Sequence, residues 1–277
     1  MRKVLKSLLP LFVIDILRRF KSEYKFPEYT SYQDAVDKIG SYNNQKLSDL
    51  ALKGTLDVKN RKGKSLYPVV LNSYYVLNTC MLDLKKPVNV FELGGALGNL
   101  YFNMSKLKFP YAIESWNILE VESKVELGKK HFENDTLKFF SEAQCFWDSS
   151  GNKDVFLSIG SIQYMPEPIE FIKSLLQQKF KYLVFDRTIL STNISEIVIS
   201  HQRSLLKENS PVMYANENNE QIVYPVIYIP EKQFFTLITA HLYKEIINIA
   251  TREFVVNTEQ QILSVKERFL VFELQDI

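Results

Sequence analysis

The chain has 277 residues, 46% of them hydrophobic and 24% charged, which suits one large globular domain or two small ones and excludes a disordered or collagen-like chain. Its 34 Lys and Arg against 32 Asp and Glu leave a net charge of +2, without the basic excess of proteins that live on phosphate backbones, so no nucleic-acid partner is expected. Cys80 and Cys145 stand far apart and His131, His201 and His241 match no ligand spacing, so two reduced thiols and no metal site are expected.

At the N-terminus Arg2, Lys3 and Lys6 precede an apolar run over residues 8–17. Asp15, Arg18 and Arg19 interrupt or close it well short of the roughly 20 residues needed to cross a bilayer, and no small-residue cleavage site follows. The expectation is an amphipathic helix that either covers part of the core or touches a membrane surface through residues 1–20, with a cytoplasmic location in both cases. Ser31 and Asp34 ahead of Ala35, Val36, Ile39 and Gly40 have the start and stop chemistry of a short helix. A second helix is expected over residues 44–55. The basic run at 59–64 reads as a loop that divides a helical extension or lid, residues 1–64, from a main domain at 65–277. Val70, Tyr74, Leu77 and Met81 then recur at helical spacing up to Pro87.

From Val88 the period changes. Short apolar runs at residues 88–93, 116–121, 155–159 and 182–185 read as buried strands, with helical stretches at 100–107, 124–132 and 168–178 between them. A strand is also placed at Phe139 and Phe140. This alternation predicts an α/β fold with a doubly wound, mostly parallel, Rossmann-like sheet. Residues 222–229, 243–250 and 268–274 read as extended, with a helix at 231–241. The last two segments predict an antiparallel hairpin at one sheet edge and a seven-stranded sheet in all.

The stretch richest in chemistry is Val90-Phe91-Glu92-Leu93-Gly94-Gly95-Ala96-Leu97-Gly98-Asn99. It places an acid and three glycines at the carboxyl end of the first sheet strand, the edge where ligands bind in open α/β sheets. A dinucleotide fingerprint GxGxxG would need glycine where Ala96 and Asn99 stand, so a pyrophosphate loop fits poorly. Read as ExGxGxG, the segment matches at Glu92, Gly94 and Gly98 and departs at Ala96. A carboxylate at the loop mouth suits a ligand with a cationic end, such as the amino group and sulfonium of S-adenosylmethionine, better than a phosphate. Glu120, in the apolar setting Ile118-Leu119-Glu120-Val121, stands where a second strand would present an acid to ribose hydroxyls. A tight strand-to-helix turn without a ligand is the plain alternative.

FELGGALGN, followed by WNILEVES, ELGKKHFENDTLKFF, DVFLSIGSIQYMPEP and YLVFDRT, resembles a family of bacterial class I methyltransferases associated with surface-polysaccharide genes. The resemblance runs over most of the chain and includes SYQDAVDKIGSYN. It implies the class I methyltransferase fold and S-adenosylmethionine as cofactor, with Glu92, Gly94, Gly95 and Gly98 lining its methionine part and Glu120 its ribose. It names no acceptor; a small molecule or a sugar precursor is the expected partner, and no oligomeric state follows.

Further candidates lie on the same edge. Ser141, after Phe139 and Phe140, falls where adenine is held in that superfamily, although both aromatics also suit an ordinary core. Ser158 and Gln163 belong to the loop after the fourth strand, and Gln163 or Tyr164 is a candidate to face the methyl group. Asp186 and Arg187, expected to end the fifth strand, are candidates to take a proton and to bind a carboxylate or phosphate; an internal ion pair is the alternative. His201 and Gln202 are expected in a helix that reaches the pocket. Tyr224 with Pro225 and Tyr228 is a candidate acceptor wall or a packed edge strand. Three rival readings stand beside the methyltransferase: a nicotinamide-dependent oxidoreductase, a catalytically silent binding or scaffold protein, and a membrane-associated part of a glycan assembly complex.

Overall fold

The computed structural model describes residues 25–60, 68–149, 151–205 and 220–275. The helix expected within residues 1–20 and most of the basic run at 59–64 lie outside the described residues. Two helices come first, α1 (Tyr32–Ile39) and α2 (Gln45–Asn60), then α3 (Pro68–Leu84). The Ser31 side chain accepts from Asp34 N–H at 3.0 Å and Gly40 closes α1 at φ 85°, as the sequence chemistry predicts.

The sheet alternates with helices: β1 (Val88–Leu93), α4 (Asn99–Met104), β2 (Ile113–Leu119), α5 (Glu122–His131), β3 (Leu137–Phe140), α6 (Ala143–Trp147), β4 (Val155–Ile159), α7 (Pro168–Gln177) and β5 (Tyr182–Ser191). These five strands pair in parallel in the order β3-β2-β1-β4-β5. The chain then forms β6 (Val198–Leu205), β7 (Gln221–Pro230), α8 (Glu231–Thr239), β8 (Tyr243–Asn257) and β9 (Ile262–Leu274). Strand β9 runs antiparallel along β5, and β8 completes the edge hairpin. The path β3-β2-β1-β4-β5-β9-β8 has the seven strands expected, but the whole sheet has nine, because β7 and β6 continue it from β5 as well.

Alternation along β1 sorts the core into two layers. Val90, with Trp116, Ile118 and Leu157, faces a cluster filled by Leu77, Met81, Leu100 and Phe102 of α3 and α4. Phe91 and Leu93, with Phe156 and Phe185, face Phe146, Ile172 and Phe234 of α6, α7 and α8. Every residue of β1 is buried, as a strand covered on both faces must be.

Two expectations fail beyond Phe185. Strand β5 does not end at Asp186: it passes through an irregularity between Phe185 and Thr188 and continues to Ser191. Residues 198–205 are a strand and not a helix, because they form a ladder with β7 in which His201 lies opposite Pro225 and Gln202 opposite Tyr224. Strand β9 holds one edge of β5 throughout, so β7 joins the other edge, beyond the end of β4, at Leu190 and Ser191. The β6–β7 pair is thus an addition that rises past the carboxyl end of the sheet.

Residues ahead of α1 run from the end of β8 to β6 of this addition. Phe26 N–H donates to Asn257 O at 2.8 Å, Tyr29 N–H to Ile199 O at 2.9 Å, and Ser200 Oγ to Pro27 O at 2.7 Å. Helix α2 is fixed beside the sheet edge by Ser48 Oγ against Ser123 Oγ at 2.9 Å and Thr55 Oγ1 donating to Asn99 Oδ1 at 2.6 Å. No helix among the described residues is long and apolar enough to cross a membrane.

Candidate functional site

A cavity of about 780 Å³ opens over the carboxyl ends of β1 to β5. Leu93 and Gly94 border it from β1, Leu119 and Glu120 from β2, Ser141 from the end of β3, Ile159 to Ser161 from β4, and Arg187 from β5. Its size falls in the range of small-molecule and cofactor sites, and its position is the switch point where β1 sends connections to opposite sides.

The turn after β1 works differently from the sequence expectation. Gly94 has φ 72° and Gly98 φ 88°, the left-handed region that favours glycine. A Cβ on Gly94 would stand 2.2 Å from Ser161 Oγ, one on Gly95 2.5 Å from Glu92 Oε2, and one on Gly98 3.0 Å from Leu137 Cδ2. The glycines thus make room for the protein's own side chains. Gly94 still lines the cavity; Gly95 and Gly98 do not. Ala96 takes φ 50°, and its N–H donates to Glu120 Oε1 at 3.2 Å.

Glu92 also departs from its expected role. It is buried on the face of β1 opposite Leu93, and its Oε2 accepts from Trp116 Nε1–H at 2.7 Å. Burial pushes its carboxyl up to about 7, against the pull of the Trp116 hydrogen bond. Its place is under Gly95, not in the cavity.

Glu120 does face the cavity. Its Oε2 accepts from Val121 N–H at 2.8 Å, and its Oε1 accepts from Lys124 Nζ at 2.9 Å. Lys124 lies one helical turn along α5 and its ammonium sits 4.3 Å from the centre of the Tyr42 ring. Tyr42, from the segment between α1 and α2, lines the cavity as well.

The far wall is aromatic. Tyr42 stacks on Tyr164 with ring centres 5.8 Å apart at 11°, and Tyr224 meets both edge-on, at 5.0 Å from Tyr42 and 5.4 Å from Tyr164. Tyr164 Oη donates to Gln202 Oε1 at 2.7 Å. Burial raises the hydroxyl pKa of both Tyr42 and Tyr164 above the ordinary tyrosine value, so both are phenols and not phenolates at neutral pH.

Strand alternation decides which other candidates reach this space. Ser158 is buried while Ile159 lines the cavity; Asp186 is buried while Arg187 lines it; His201 is buried while Gln202 lines it. Asp186 Oδ2 accepts from Asn72 Nδ2 at 3.2 Å and its Oδ1 from Arg187 N–H at 2.8 Å, and burial raises its pKa. His201 Nε2 accepts from Arg203 Nε at 3.3 Å, which leaves the neutral ring's proton on Nδ1, 3.1 Å from Tyr29 Oη; burial lowers its pKa. Gln163 is buried beside the wall, donating from Nε2 to Arg187 O at 3.3 Å. Gly94, Glu120, Ser141, Arg187 and Tyr224 are therefore brought together; Glu92, Gly95, Gly98, Ser158, Gln163, Asp186 and His201 support the walls from behind.

Sequence reasoning missed Tyr42 and Lys124. The i, i+4 spacing of Glu120 and Lys124 at a strand-to-helix junction was a usable signal. Nothing local marks Tyr42, whose place depends on the docking of α2. Among the described residues no group of three metal-ligating side chains converges.

No protein-family model matches the chain, and no curated protein matches its sequence. Solved structures of similar shape include the N-terminal domain of EvdMO1 with SAH bound, at 10% identity and TM-score 0.46 over 74% of this chain and 81% of that one. CalS10, an amino pentose methyltransferase from Micromonospora echinaspora, has 10% identity and TM-score 0.44 over 77% of this chain and 93% of its own. A methyltransferase from Clostridium acetobutylicum, S-adenosylmethionine-dependent, also has 10% identity and TM-score 0.44, over 80% of this chain and 97% of its own. With each score below one half, the functional reading rests on this chain's own residues.

Proposed function

We propose that the chain is an S-adenosylmethionine-dependent methyltransferase acting in the cytoplasm on a small-molecule or sugar-precursor acceptor, with residues 1–64 as its lid. The observation that carries this is the Glu120 carboxylate at the carboxyl end of β2, facing a cavity bordered by the main chain of Gly94 and Ala96. A carboxylate there accepts hydrogen bonds from a ribose diol.

The donor set fits an adenosyl sulfonium better than a dinucleotide. A pyrophosphate needs open N–H groups at the turn, yet Gly94 N–H donates to Leu119 O at 2.8 Å, Gly98 N–H to Gly95 O at 3.0 Å, and Ala96 N–H to Glu120. Glu120 is the residue assigned to the ribose, Gly94 to the methionine end and Ser141 with Ala143 to the adenine edge. When bound, the cofactor supplies a methyl group on a sulfonium, open to in-line displacement.

The protein's part is then to align and to dry. Tyr42 and Tyr164 shield the space above β1 and β4 from water, and Tyr224 with Gln202 forms the wall against which an acceptor is held. Holding two reactants in register removes a large share of such a barrier.

Titration calorimetry with S-adenosylhomocysteine tests this reading. Wild type is expected to bind it, and Glu120→Gln to lose about 1–3 kcal/mol of that binding, the worth of hydrogen bonds to a charged acceptor. No detectable binding to the wild-type chain removes the methyl-donor assignment.

A further inference from the structure

Three charged residues line the cavity: Glu120, Lys124 and Arg187. Glu120 and Lys124 neutralise one another at 2.9 Å. Arg187 is exposed to the cavity, and its side chain has no ion-pair partner among the described residues. The cavity wall therefore keeps a positive charge over β5, at the acceptor end and not over the β1–β2 turn, drawn on from behind the wall by the buried Asp186 carboxylate.

Its backbone is held for this placement. Arg187 has φ 53°, a left-handed conformation that a side-chain-bearing residue adopts only at a cost in strain. Two buried neighbours fix it: the Asp186 carboxylate accepts its N–H at 2.8 Å, and Gln163 Nε2 donates to its carbonyl at 3.3 Å. Arg187 lies within the irregularity between Phe185 and Thr188, next to the buried Asp186, and lines the cavity.

The surroundings complete a subsite. Tyr42, Tyr164 and Tyr224 present ring faces and edges on the same side of the cavity. The Arg187 charge reaches the first two, drawing their hydroxyl pKa values down against the larger upward push of burial. A guanidinium offers a planar fork of donors matched to carboxylate or phosphate oxygens, and aromatic walls keep bulk water from competing for it.

Resting on the methyltransferase reading, we infer that the acceptor is an anionic small molecule, whose phosphate or carboxylate is bound by Arg187 while its ring body lies against Tyr42, Tyr164 and Tyr224. Glu120 and the donor end play no part in that recognition.

The test uses three probes with one ring body, phenyl phosphate, benzoate and benzyl alcohol, titrated by calorimetry into the full chain saturated with S-adenosylhomocysteine. At least one anion is expected to bind ten or more times as tightly as benzyl alcohol, and which of the two does so tells phosphate from carboxylate recognition. Arg187→Gln should reduce that ratio below threefold while leaving the affinity for S-adenosylhomocysteine unchanged. Arg187→Lys, which keeps the charge but not the fork, should retain part of the preference. Equal affinities for the three probes, no binding of any of them, or an anion preference that persists in Arg187→Gln overturns the inference. Should S-adenosylhomocysteine itself fail to bind, the donor assignment falls, and the same titrations on the unloaded chain decide the anion subsite separately.

Discussion

Lys124 Nζ lies 2.9 Å from Glu120 Oε1, with 4% and 6% of the two side chains exposed. Glu120 is thus half of a buried ion pair, and under the methyltransferase reading a ribose diol would share its oxygens with an ammonium. Removing one partner of a buried pair leaves the other charge stranded, at about 3–5 kcal/mol in a closed interior. Glu120 keeps two N–H donors and borders the cavity, so Lys124→Met is expected to lose about 2 kcal/mol of stability. Urea denaturation measures this; an unchanged midpoint would show that the pair is idle.

Gly94 is under two constraints at once, φ 72° and the Ser161 side chain where a Cβ would go. Gly94→Ala should lower the melting temperature, with roughly 1–2 kcal/mol from the left-handed backbone alone and more from the collision with Ser161. Adding Ser161→Gly should return the collision part and leave the backbone part. Full recovery in the double variant would mean that the conformation itself carries no strain.

The buried Glu92 makes stability depend on pH in an unusual direction for a carboxylate. Its folded pKa, lifted by burial to about 7, lies above the ordinary glutamate value, so the folded chain holds the proton more tightly than the unfolded one. Its contribution is complete at acid pH and is lost as pH rises from about 4.5 through 7. Relative to Glu92→Gln, which cannot ionise, the wild type should lose a few kcal/mol across that window. Parallel stability curves for the two proteins between pH 4.5 and 8 would show that Glu92 titrates alike in the folded and unfolded chains, so that burial does not raise its pKa.

Tyr42 covers Lys124 and stacks on Tyr164 from a segment outside the sheet. Under the lid reading Tyr42→Ala opens the cavity without touching its floor, so S-adenosylhomocysteine should leave about tenfold faster at a similar association rate. Stopped-flow displacement reads both rates; an unaltered dissociation rate would show that the ring gates nothing.

The α/β layout was legible because buried strands and amphipathic helices leave different periods, and because Gly94 and Glu120 stand at strand ends where such sheets bind ligands. What the sequence hid was orientation. At Glu92, Ser158, Asp186 and His201 the residue with chemistry is buried, and its strand neighbour Leu93, Ile159, Arg187 or Gln202 lines the cavity. A shift of one position along a strand reverses the face, and no period read from the sequence resolves that when both faces are covered. The helix expected around His201 failed for a related reason: its partner, Tyr224 with Pro225, comes from a separate strand, and only long-range pairing makes the segment extended.

The β6–β7 pair is hydrogen-bonded to β5 at Leu190 and Ser191, and it packs through Val198, Val226 and Tyr228 against Ile189, Leu263 and Val265 and through Ile227 and Ile229 into the core beside Phe185. Gln202, Ser204 and Tyr224 of this pair supply the wall opposite Glu120. Under the methyltransferase reading, the acceptor wall thus sits largely on this pair, while the donor side of the cavity belongs to β1 and β2. Under that reading, replacing Gln202 and Ser204 should change which acceptor is taken and leave the affinity for S-adenosylhomocysteine as it was.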